Sequence, residues 1–99
     1  MEKYKILICY SGGKTFIGYA EKSEENIIIL QNPRILTHWR KEDGEHVLLL
    51  DFVNGFPEEI NFFHFDSVWV PSKSVANWYM EETSEPSISQ SFPNNELRN

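Results

Sequence analysis

Apolar positions fall in short runs along the first eighty residues, cut by polar stretches rich in glycine, asparagine and acidic side chains. Residues 4–10 read as a β-strand, and Ser11-Gly12-Gly13-Lys14 reads as a hairpin turn because adjacent glycines accept positive φ. Residues 15–20 follow as a second strand with Gly18 inside it, the mark of a sharp bend or a close backbone approach. A polar turn over 22–25 leads to a continuous β-branched run at 26–30, as in a strand buried on both faces. Asn32-Pro33 is expected to break that strand or move it to an edge. Alternation resumes past Arg34, with Ile35, Thr37 and Trp39 on one side and Leu36 and His38 on the other.

Further turns are expected at "RKEDGEH", where Asp43-Gly44 supplies the chemistry, and at "NGFPEE", with a strand over 46–53 between them. Residues 60–65 and 68–70 read as two short strands, or as one strand kinked near Asp66-Ser67. Ser72 is placed to cap a helix over 73–82, where Val75, Trp78 and Tyr79 stand at helical spacing. The pattern is therefore all-β, with five or six short antiparallel strands, one bent hard at a glycine, and a C-terminal helix. It predicts a small, strongly bent five-stranded antiparallel barrel with that helix over residues 1–82. Residues 83–99 turn to Ser, Glu, Asn and Pro with isolated apolar positions, and are expected to form an acidic, disordered tail.

Composition narrows the class without naming it. A chain of 99 residues with 40% hydrophobic and 14% aromatic content fits one globular domain. Cys9 is the only cysteine, so no intrachain disulfide forms, and its place between Ile8 and Tyr10 suits a small strand hydrophobe. Neither a secretory signal nor an apolar stretch long enough to span a membrane is present, which predicts a soluble cytoplasmic protein. Net charge is −6, with half of it beyond Met80. An acidic body argues against nonspecific phosphate binding and leaves room for a local site.

The stretch "GGKTFIGYAEKSEENIIILQN", Gly12 to Asn32, resembles the first motif of the Sm/LSm family, and especially of its bacterial Hfq-type members. Gly13, Phe16, Gly18, Glu24, the apolar run 27–30 and Asn32 carry the match. "FFHFDSVWVPS" resembles the bacterial second motif, through His64 and the Val70-Pro71-Ser72 close. The outline is also similar to small Sm-like proteins carried by bacteriophages. The family places a helix before the first strand, and only Met1 to Lys3 stand ahead of Tyr4 here. The resemblance covers about half of the chain; the segment 33–59 has no counterpart in it.

The resemblance implies an Sm-like, SH3-like barrel whose edge strands pair between copies into a homomeric ring of five to seven subunits. It also implies a site for single-stranded, uridine-rich RNA near the pore, held by stacking and edge contacts. Carried over by position, Glu24 orders the loop, Asn26 takes the stacking position and His64 keeps the basic-aromatic one. Phe63 stands where the family has Lys or Arg. Glu24 and Glu25 repel phosphate around such a pore, and Lys22 opposes them. The structural reading makes Asn26 a turn residue and His64 a half-buried strand histidine.

A second expected surface is "RILTHWRKEDGEHV", in which Arg34, His38, Trp39, Arg40 and Lys41 offer three permanent cations and an aromatic. Trp39 and Arg40 suit stacking on a base and meeting a phosphate; the plain reading is a solvated turn whose Trp packs on a neighbour. His38, His46 and His64 fall in separate strands with no Cys or carboxylate at ligand spacing, so no metal and no cofactor are expected. Phosphate-loop, dinucleotide and nucleophile-elbow motifs are missing, and the expectation is a non-enzyme. The expected function is single-stranded nucleic-acid binding, of RNA in the first instance, by a ring-forming Sm-like protein. The rival is a phage-associated structural or protein-interaction module that kept the ring and lost the RNA site.

Overall fold

The computed structural model of the protein describes residues 5–21 and 26–84. The expected tail beyond Ser84 and the polar turn at 22–25 lie outside the described residues. β1 (Lys5–Ser11) and β2 (Lys14–Ala20) form the first hairpin, in full register from Lys5 opposite Ala20 to Ser11 opposite Lys14. Gly12 and Gly13 turn it with φ of 60° and 83°, and two successive positive φ values match the right-handed twist of the flanking strands.

β3 (Ile28–Arg40) runs without a break through Asn32-Pro33 and has partners on both sides, which corrects the expected interruption there. The physical reason is a bulge. Ile17 pairs with Arg34 and Tyr19 with Gln31, so Asn32 and Pro33 together face Gly18. Asn32 takes a left-handed φ of 54° and its N–H donates to the Glu58 carbonyl at 2.9 Å. Pro33 is buried at the bulge, where its missing N–H interrupts no pair in the β2–β3 register. Gly18 is required opposite: a Cβ there would come within 3.0 Å of both the Gln31 carbonyl oxygen and Leu30 Cβ.

The outer edge of β3 is shared. Its C-terminal half pairs with β4 (His46–Phe52) and its first residues with β5 (Glu59–Phe62). β6 (Ser67–Trp69) instead pairs with β1, so the last two runs are separate strands at opposite margins of the sheet. The order is β4-β3-β2-β1-β6, with β5 beside β3, which makes six strands among the described residues because β4 and β5 divide the outer edge of β3. Beyond Ile35, β3 pairs only with β4, and this hairpin projects as a two-stranded ribbon.

The sheet curls into a barrel-like form. Two strand spacings separate β2 from β5, about 10 Å in a flat sheet, yet the Phe16 and Phe62 rings lie 5.1 Å apart. Alternation along β1 fills both faces. Cys9 joins Leu30 and Phe62 on one face, with Leu7, Phe65 and Val68 packed around them. Ile6 and Ile8 join Ile17 and Tyr79 on the other.

Tyr79 comes from α1 (Lys73–Thr83), the C-terminal helix, which also packs Val75, Ala76 and Met80 against this cluster. The Ser72 hydroxyl caps it, accepting from Val75 N at 3.3 Å. No helix among the described residues is long and apolar enough to cross a membrane.

Candidate functional site

The bend between β5 and β6 brings the expected motif residues together. Asn26 sits in a turn with φ of 68°, and with Phe63, His64 and Phe65 it lines a shallow depression of about 350 Å³. One side-chain and one backbone hydrogen bond hold the bend to β1. The Ser11 hydroxyl donates to the His64 carbonyl at 3.0 Å, and Asp66 N donates to the Tyr10 carbonyl at 2.8 Å. His64 is exposed and lies outside any strand, which corrects the half-buried strand placement. Phe63 is 61% exposed beside it. Lys22, Glu24 and Glu25 fall outside the described residues.

The second expected surface divides. Trp39 and Arg40 stand exposed at the end of β3, with the Trp39 ring 45% accessible. Lys41 is engaged within the turn, where its Nζ meets Glu45 Oε1 at 3.3 Å and its N–H donates to the Glu45 carbonyl. Gly44, at φ of 92°, closes the turn, and Asp43 accepts from Glu45 N. Glu42, Asp43 and Glu45 follow Arg40 and Lys41 directly in the chain, so the turn carries more carboxylates than cations. His38 and His46, on paired strands, come within hydrogen-bond distance, Nε2 to Nδ1 at 2.8 Å. Among the described residues no group of three or more potential metal-ligating side chains assembles.

Arg34 belongs elsewhere. Six residues down β3 from Arg40, about 20 Å at a strand's rise, its Nη1 donates to Asn32 Oδ1 at 2.9 Å and to the Pro33 carbonyl at 3.1 Å. Its guanidinium carbon lies 4.5 Å from the centre of the Phe52 ring, and Phe56 meets Phe52 edge-on at 5.1 Å. Burial pulls the Arg34 guanidinium below its usual range, with the Tyr79 phenol opposing, and arginine stays charged regardless. Phe52 and Phe56 were not singled out from the sequence. The available signal was an aromatic set between Gly55 and Pro57 in "NGFPEE", an apolar side chain inside a turn that has no core to enter.

A groove of about 600 Å³ separates β4 from the end of β6, with Leu36, Leu48, Trp69, Val70 and Val75 and the histidine pair among its lining residues. Among the described residues no ladder joins β6 to β4 or β5, so the barrel is open on this side. Comparison with known proteins gave no matching family model, no matching curated protein and no matching solved structure.

Proposed function

We propose that this chain is a ring-forming Sm-like protein of the cytoplasm that binds single-stranded nucleic acid, RNA in the first instance, in nucleic-acid processing. The observation that carries the reading is the meeting of Asn26 and His64, remote in sequence, in one depression flanked by two phenylalanines. An amide and an imidazole offer hydrogen bonds to base edges, and the open Phe63 ring offers a stacking face.

Assembly is the second component. β4 and β6 present outer edges to the open side of the barrel, and β4 carries the apolar run Val47 to Leu50 along one of them. Exposed edges of this kind invite pairing, and a copy that offers the complementary edge closes a ring of five to seven subunits by rotation. A native mass measurement tests this part; a monomer at micromolar concentration sinks it.

A salt titration of binding to U-rich, A-rich and mixed oligonucleotides tests the nucleic-acid part. Binding at low salt that weakens as salt rises is expected, and His64→Ala and Arg40→Ala each weaken it. The absence of binding to every strand at low salt sinks it.

One observation favours a second reading, a phage-associated interaction module built on the same ring. Lys41 is paired with Glu45 within its own turn, and the chain carries a net charge of −6, which opposes the approach of phosphate. A ring without nucleic-acid affinity is the outcome that selects it.

A further inference from the structure

The turn between β4 and β5 carries a second binding feature. Phe56 has a φ of 51°, the left-handed region that bulky residues rarely occupy, and it follows Gly55 at 86°. A backbone hydrogen bond, Phe56 N to the Val53 carbonyl at 2.9 Å, holds it there. The result is an aromatic ring turned to solvent, 67% exposed, against a Phe52 ring that is itself 60% exposed. Hydrophobic burial does not account for this conformation.

Arg34 lies over Phe52 on the inner side. Its hydrogen-bond acceptors are a side-chain amide oxygen and a backbone carbonyl, both neutral, and among the described residues it makes no ion pair. A half-buried cation without a counter-charge, beside two open rings, matches a planar ligand with an attached anion. Glu58 also lines this depression of about 390 Å³ and limits how much anionic charge it accepts.

We propose that the Arg34–Phe52–Phe56 platform binds one nucleotide of a single strand, with its base on the phenylalanine rings and its phosphate toward the guanidinium. The inference rests on the nucleic-acid reading above and extends it to a second contact. β5 connects the two places: the β5–β3 ladder runs from Phe62 opposite Ile28 to Glu59 opposite Gln31. From its first residue to its last it spans about 10 Å at a strand's rise, a reach that a few nucleotides cover. A strand leaving the Asn26–His64 depression along β5 arrives at the platform.

The test uses fluorescence anisotropy of labelled single-stranded oligonucleotides with the full chain. Phe56→Ala, an exposed position, is expected to weaken binding about five- to hundredfold, the range for loss of one stacked base. Phe56→Trp is expected to retain affinity and to show tryptophan quenching on binding. Glu58→Gln is expected to tighten binding. Unchanged affinity in both Phe56→Ala and Phe52→Ala overturns the platform while leaving the nucleic-acid reading intact, whereas no binding by the unaltered chain overturns both. A smaller oligomeric mass for Phe56→Ala assigns the rings to contact between copies, and also overturns the proposal.

Discussion

The Tyr79 hydroxyl donates to the carbonyl of Asn32, fastening the C-terminal helix to the left-handed residue at which β3 bulges. The bond joins the last element of the fold to its most irregular backbone position. It also places a phenol deep within the cluster of Ile6, Ile8 and Ile17.

Removing that hydroxyl leaves a part-buried carbonyl without its donor. Tyr79→Phe is therefore expected to cost about 1–3 kcal/mol, the desolvation penalty of an unsatisfied group. Urea unfolding followed by circular dichroism should show a lower midpoint with an unchanged slope. An unaltered midpoint would mean that water or another donor replaces the bond at no cost.

The same phenol makes stability depend on alkaline pH. Burial first, then the neighbouring Tyr19, raise Tyr79 well above the usual tyrosine range; Arg34 and Thr83 act in the opposite direction without cancelling this. A raised acid keeps its proton in the folded state after the unfolded chain has released it. The contribution is whole below the ordinary tyrosine value, about pH 10, and declines as pH climbs from there toward the raised value. Melting temperatures measured from pH 8 upward should fall past that point, and the fall should be shallower in Tyr79→Phe.

Gly18→Ala is expected to destabilise the protein by about 1–3 kcal/mol, the cost of overpacking. The added methyl meets the Gln31 carbonyl oxygen at 3.0 Å, and a backbone atom yields less readily than a side-chain tip. Gly12→Ala offers a contrast, since its Cβ enters open space and only the positive φ opposes it, at about 1 kcal/mol. A Gly18→Ala protein as stable as the parent would contradict the close approach.

Cys9 should be silent toward thiol reagents while the protein is folded. It is fully buried, and burial followed by the nearby Asp66 charge pushes its thiol up, so the reactive thiolate is suppressed. Labelling by a chromogenic disulfide should proceed only as fast as unfolding, and should reach the rate of a free thiol across the urea transition. Rapid stoichiometric labelling in native buffer would place the cysteine elsewhere.

Much of the fold was legible because its signals are local. The paired glycines at 12 and 13, Asp43-Gly44 and the Ser72 cap act over a few residues, and each stands where its sequence chemistry put it. Asn32-Pro33 misled because a proline is read as a break wherever it stands. Whether it interrupts a ladder depends on the facing strand, and there Gly18 lets two residues oppose one. The approach of Asn26 to His64 was legible only through the family resemblance. The Arg34–Phe52–Phe56 cluster needs the curvature of β3 and the turn conformation at Phe56, and neither is written in a periodicity.

The overhang of β3 past Ile35 has a dynamic corollary. Amides between Thr37 and Val47 are guarded by a single neighbour, with the His38–His46 contact and the Lys41–Glu45 pair as side-chain clasps. A lone ribbon is marginal in water, so deuterium should enter this tip well before it reaches β1 and β2. Early exchange there would mark a limb that opens while the body stays shut, free to reshape itself around whatever settles beside it.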